Sequence, residues 1–201
     1  MTGLALIAAG IAVLALAWGG PLPGMVPASF AAHMTLHMIV VGIGAPLLAI
    51  GAARRVKPDA AIRLSPAVAA VFSVLDLAVV WGWHAPALHD AARSVPLVLA
   101  AEQASFALVT FCLWFSAFAG PPLAGALALF VTSMHMTLLG ALLGLGRRGL
   151  YAGHDHGAGL FGLSALDDQQ LGGAVMLGVG GVVYLAGGLL LTSRLLARTT
   201  P

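Results

Sequence analysis

Two histidines and two methionines occupy HMTLHM, residues 33–38, inside a run that is otherwise apolar. Successive residues of a helix turn by about 100°, so His33 and His37 lie about 40° apart, one turn above the other. Met34 and Met38 share the neighbouring stripe, and all four fit within an arc of about 140°. Imidazole with thioether is a donor set that suits Cu(I). A later apolar run holds His135 in SMHM, residues 133–136, where Met134 and Met136 point to roughly opposite sides. The candidate ligands are therefore His33, His37 and His135, with Met34 or Met38 as a soft donor. For the methionines Met34, Met38, Met134 and Met136 a packing role is the favoured reading, because the flexible thioether chain fills gaps between helices.

The elements that must position these groups follow from composition. Of 201 residues 60% are hydrophobic and 8% charged, and the mean hydropathy is +1.01. Soluble domains are nearer a quarter charged, so the expectation is an all-α, polytopic transmembrane bundle. At ~20 residues per crossing, apolar runs bounded by Pro, Gly or charge give about six spans. They fall near 3–19, 30–51, 66–84, 96–119, 123–145 and 171–193, forming a single transmembrane domain over residues 1–201. A net charge of +2 offers nothing to nucleic acid. The single cysteine, Cys112, excludes an intramolecular disulfide.

Basic residues orient the bundle. Arg54, Arg55, Lys57 and Arg63 follow the second span, and Arg194 and Arg198 follow the sixth. The positive-inside rule then places both termini in the cytoplasm. No charged residue precedes Arg54, so the first span lacks the basic flank of a signal peptide and reads as a retained helix.

In this frame the ionisable groups gather in the outer half. His33 and His37 lie in the first turns of the second span, Asp76 near mid-membrane, and His84 at the outer end of the third. Glu102 and Gln103 come about two turns into the fourth; Asp167, Asp168 and Gln169 precede the sixth. Titratable groups in lipid face partners or water, so one polar site open to the outside is expected. His84, beside Trp81 and Trp83, also reads as part of an interfacial aromatic belt. His154 and His156 in GHDHG are a weak metal signal in a loop. The Gly140–Gly144 pair reads as close helix packing. An inner half without polar groups argues against a transporter. No nucleophile with a base, phosphate loop or zinc-protease motif points to an enzyme.

Several ordered pieces resemble the CtaG-type assembly factors of bacterial cytochrome c oxidase, the integral membrane family found with caa-type oxidases. They are HMTLHM with GAPLLAIG, WGWHAPALHDAA, SMHMTLLGALLGLGRRGLYAGH and DDQQLGGAVMLGVGGVVYL. The resemblance implies a multi-pass protein of the bacterial inner membrane that helps build the oxidase, with its subunits as partners and a part in supplying copper. By position, the family's paired histidines fall on His33 and His37, its Trp-His-x-Pro segment on Trp83, His84 and Pro86, and its later Met-x-His segment on His135. Its acidic-Gln-Gln stretch falls on Asp168, Gln169 and Gln170. One departure stands out: Glu102 is followed by Gln103 where the family pattern has histidine, so a ligand set needing that histidine is either incomplete here or finished by Glu102 or a methionine.

These readings give a non-enzymatic assembly factor with Cu(I) at His33, His37, His135 and Met34 or Met38. Asp76, His84, Glu102 and Asp168 would support the ligands or line the way in. Two alternatives stay open. One is a haem-binding cytochrome with His37 and His135 as axial ligands. The other is a metal-free chaperone for an oxidase subunit. The oligomeric state leaves no mark on the sequence.

Overall fold

A computed structural model describes residues 1–56, 64–151 and 162–197. The described residues form helices long and apolar enough for six membrane crossings: Gly3–Met25, Phe30–Ala53, Pro66–Trp83, Pro96–Ala119, Pro122–Gly144 and Ala165–Leu196. This is a multi-pass membrane protein. The loop histidines His154 and His156 lie outside the described residues, as do Lys57, Arg63 and Arg198.

Local chemistry sets the helix starts. Span one is α1 (Gly3–Gly19) followed by the single turn α2 (Leu22–Met25). Span two begins with α3 (Phe30–Ile39) and ends with α4 (Ala45–Ala53). Span three is α5 (Pro66–Trp83), and a short helix α6 (Pro86–Ser94) leads to α7 (Pro96–Ala119) and α8 (Pro122–Gly144). Span six joins α9 (Ala165–Val175) to α10 (Val182–Leu196). Thr2, Ser29, Ser65 and Ser164 cap α1, α3, α5 and α9 through side-chain oxygens that accept backbone N–H bonds. Proline opens α5 to α8, where its missing N–H costs no intrahelical bond.

Two details depart from the sequence expectation. The segment APALHDAARS is the helix α6 rather than a plain loop, and it buries His89 and Ala92. The sixth span starts at Ala165, so Asp167 and Asp168 lie within its first turn instead of ahead of it. The Ser164 cap and the favourable placing of acids at a helix N-terminus account for the earlier start.

Spans two and six are each interrupted by a π segment, Val40–Gly44 and Met176–Gly181. Such wide turns change the face that later residues present, which periodicity of 3.6 does not register. The glycines of span five act by close approach, as their spacing suggested. A Cβ on Gly140 would lie 2.6 Å from the Leu177 nitrogen. Gly144 in turn packs on Gly173. The core between the spans is built from Phe30, Met34, Met38, Phe106, Leu113, Trp114, Leu129, Met136 and Tyr184. Arg54 donates to the Met1 carbonyl at 2.9 Å, which puts the start of the chain and the end of span two at one end of the bundle. The N-terminal turn of α3, with His33, lies at the other.

Candidate metal centre

The centre is built on the first two turns of α3. Asp168 of α9 accepts hydrogen bonds from the Ser29 hydroxyl (2.8 Å), the Phe30 N–H (2.6 Å) and the Ala31 N–H (3.2 Å). A carboxylate from span six thus closes the open donors of span two and fixes the register of His33 and His37.

Below that cap the two imidazoles turn to Glu102 of α7. His33 Nε2 is 2.8 Å from Glu102 Oε2, and His37 Nε2 is 3.5 Å from Glu102 Oε1. His33 and Glu102 are each 0% exposed. One ligand atom from each of the three lies within 4.8 Å of the others, and among the described residues this is the one group of three or more His, Cys, Asp or Glu arranged so. His33 Nδ1, His37 Nε2 and Glu102 Oε1 have no hydrogen-bond partner. Gln103 donates from Nε2 to His37 Nδ1 at 2.8 Å, and its carbonyl accepts from the Trp18 indole at 3.5 Å.

His135 does not join this group. Its Nε2 faces Asp76 Oδ2 at 3.4 Å, and Thr110 donates to the other Asp76 oxygen at 3.3 Å. The reason is depth. His135 lies nine residues inside the end of α8, about 14 Å along the axis, whereas His33 lies three residues, about 5 Å, inside α3. Asp76, buried at the middle of the bundle, needs a partner there, and His135 is at its level.

A family model described as the cytochrome c oxidase caa3 assembly factor (Caa3_CtaG) matches residues 4–198. The chain belongs to that family. Neither the curated proteins nor the solved structures contain a match to it.

In this caa3 assembly factor, Glu102 stands against the imidazoles themselves rather than behind them, and Gln103 occupies the place where a further histidine was expected. Gln103 is not idle: its amide nitrogen meets His37 Nδ1 and lies 3.5 Å from Glu102 Oε2. His84, just beyond the end of α5, is buried rather than part of an interfacial belt. Its Nδ1–H donates to the Val80 carbonyl at 2.6 Å, and its Nε2 faces Met34 Sδ at 3.4 Å. Burial lowers its pKa to about 4; the Val80 hydrogen bond opposes this and the nearby His33 adds to it. Met38 lines a small cavity with His37 and His84.

His89, which the sequence reading passed over, stacks on His33 with ring centroids 4.8 Å apart. Tyr151 stacks on Phe30 and His89 and donates to the His84 carbonyl at 3.0 Å. Burial and the charge of Asp90 raise the Tyr151 pKa, keeping its hydroxyl a donor. The amphipathic pattern of residues 86–94 was the available signal for His89. The acidic-Gln-Gln stretch proves to be joinery. Asp168 caps α3, Gln169 binds the Leu150 N–H and the Leu143 carbonyl, and Gln170 donates to the Gly146 carbonyl. An apolar groove of about 420 Å³, lined by Trp18, Leu36, Leu99 and Gln103 among others, opens outside the centre, with Gln103 between the groove and His37.

Proposed function

We propose that this assembly factor holds a copper ion between His33, His37 and Glu102 and hands it to a subunit of cytochrome c oxidase in the bacterial inner membrane. The observation that carries the reading is the carboxylate set between two buried imidazoles, with His37 Nε2 and Glu102 Oε1 facing each other at 3.5 Å and without hydrogen bonds. Burying such atoms without partners is costly, and a cation is the partner that would satisfy them together.

The donor chemistry fits copper. Two imidazoles and a carboxylate bind divalent first-row metals, and the Irving–Williams order places Cu(II) at the top. Such a set is harder than the imidazole and thioether set anticipated for Cu(I), because Glu102 takes the place assigned to a methionine and to His135. Histidine ligands also hold their second ring nitrogen against an acceptor. Gln103 would serve this need for His37 by turning its amide over to offer a carbonyl to Nδ1–H, at the cost of the 3.5 Å bond from the Trp18 indole. A site with three protein ligands from two helices leaves coordination positions free, which transfer to a recipient requires. The Lys/Arg pattern reads the end of the bundle that carries the site as the outer one, where copper acceptors of the oxidase would be met.

A haem reading has less support. The cavity bordering His37 and His84 is about 10 Å³, and neither larger groove described, of about 420 and 480 Å³, carries a histidine on its wall. An absorbance scan checks this directly, because haem would give a Soret band.

The test is copper binding by the purified full chain together with oxidase assembly in cells. Wild type should bind one Cu(II) at this centre. Glu102→Gln and the pair His33→Ala with His37→Ala should weaken it at least tenfold and lower active oxidase. Full oxidase activity in cells that carry a folded, metal-blind Glu102→Gln protein would defeat the proposal in favour of a metal-free chaperone.

A further inference from the structure

A second donor set adjoins the His33–His37–Glu102 group. Its root is the contact between His84 Nε2 and Met34 Sδ at 3.4 Å. The Val80 carbonyl can only accept, so the bond at His84 Nδ1 places the proton of the neutral ring on that nitrogen. With Nδ1 committed to that carbonyl, Nε2 is the ring nitrogen left to face the thioether sulfur, and in the neutral ring it offers a lone pair.

This separation matches two ligands of one metal. With metal–nitrogen and metal–sulfur bonds of about 2.0–2.1 and 2.3 Å, a tetrahedral angle sets nitrogen and sulfur about 3.5 Å apart. The surroundings are soft as well. His84 borders a cavity of about 10 Å³ whose wall includes Met38, Met136 and Met176 together with His37. All three methionines are buried. Space for them comes from glycine in span six: a Cβ on Gly180 would meet Met136 Cε at 3.0 Å and Met38 Sδ at 3.6 Å. Likewise a Cβ on Gly172 would meet Met34 Cγ at 2.9 Å. A cavity of that size takes about one small atom or ion.

We propose that His84 Nε2 and Met34 Sδ form a binding site for a soft monovalent cation, Cu(I), completed by the thioethers around the adjoining cavity. Thioether and imidazole donors without a carboxylate select Cu(I) over divalent ions. The site is distinct from the harder imidazole–carboxylate group, and it stands whether or not that group holds copper. Together they would give the protein one site for each oxidation state.

The experiment uses the purified full chain in detergent with two probes. Ag(I), a redox-inert stand-in for Cu(I), is titrated in competition with a soft chelator, and Co(II) reports the imidazole–carboxylate group by its visible absorbance. Met34→Leu, nearly volume-conserving, should weaken Ag(I) binding at least tenfold and leave the Co(II) spectrum unchanged. Glu102→Gln should do the reverse, so failure here and failure of the proposed function are told apart. X-ray absorption of the wild-type chain loaded with Cu(I) should show both sulfur and nitrogen neighbours. Wild-type Ag(I) affinity in Met34→Leu, loss of Ag(I) with Glu102→Gln alone, or a Cu(I) shell without sulfur would each overturn the proposal.

Discussion

Asp168 bears on both halves of the fold, because it joins span six to the helix that carries His33 and His37. Its carboxylate accepts three hydrogen bonds, from Ser29 Oγ, Phe30 N and Ala31 N. Bonds to a charged acceptor contribute about 1.5–3 kcal/mol each, so three set a ceiling of about 9 kcal/mol for Asp168→Ala. The freed N–H groups can regain part of this by fraying toward water, and Ser29 Oγ still accepts from the Ala32 N–H at 3.1 Å. The expected loss is therefore about 3–5 kcal/mol, the range for removing one partner of a buried charged contact. Asp168→Asn keeps one acceptor oxygen and should cost about 1–3 kcal/mol. Asp167, its exposed neighbour, bonds Ser164 and supplies the control, with an expected cost below about 1 kcal/mol for Asp167→Ala. Thermal unfolding in detergent is followed by far-ultraviolet circular dichroism. Asp168→Ala should melt lowest, on the order of 10 °C below wild type, with Asp168→Asn between it and Asp167→Ala. Cation affinity at His33 and His37 should fall in the same order, since the cap sets their register. An Asp168→Ala protein that melts with Asp167→Ala would refute the capping argument.

Two other outcomes follow from the packing. Gly140→Ala pushes a methyl into the backbone at Leu177 and should destabilise the bundle by about 1–3 kcal/mol, whereas Gly82→Ala, with open space around it, should be near neutral; equal melting temperatures would contradict the contact. For the mid-membrane pair, a double-mutant cycle of Asp76→Ala and His135→Ala should give a coupling of about 0.5–3 kcal/mol with Co(II) binding unchanged in both singles, and additive effects would mean that the pair does not interact.

The membrane character and the six crossings were legible in the chain, because apolar length is a local property that any ~20-residue window carries. The same holds for His33 and His37 sharing a face, since helical rotation alone puts i and i+4 together. Three-dimensional placement decided the rest. Which carboxylate meets the imidazoles depends on where α7 sits beside α3, and spacing along either helix says nothing of that. His135 looked equivalent to His37 by residue type, yet its depth on α8 commits it to Asp76. His89 was hidden in a stretch read as a loop, and becomes part of the centre only because α6 folds back over α3. The methionine cavity joins Met38, Met136 and Met176 from spans two, five and six, and no single helix's spacing records that meeting. What each helix is, and which residues share its face, depends on near neighbours and so was set by local sequence. Which polar groups meet was decided by the packing of spans far apart in the chain, where each buried donor or charge has to find a partner at its own depth in the bilayer.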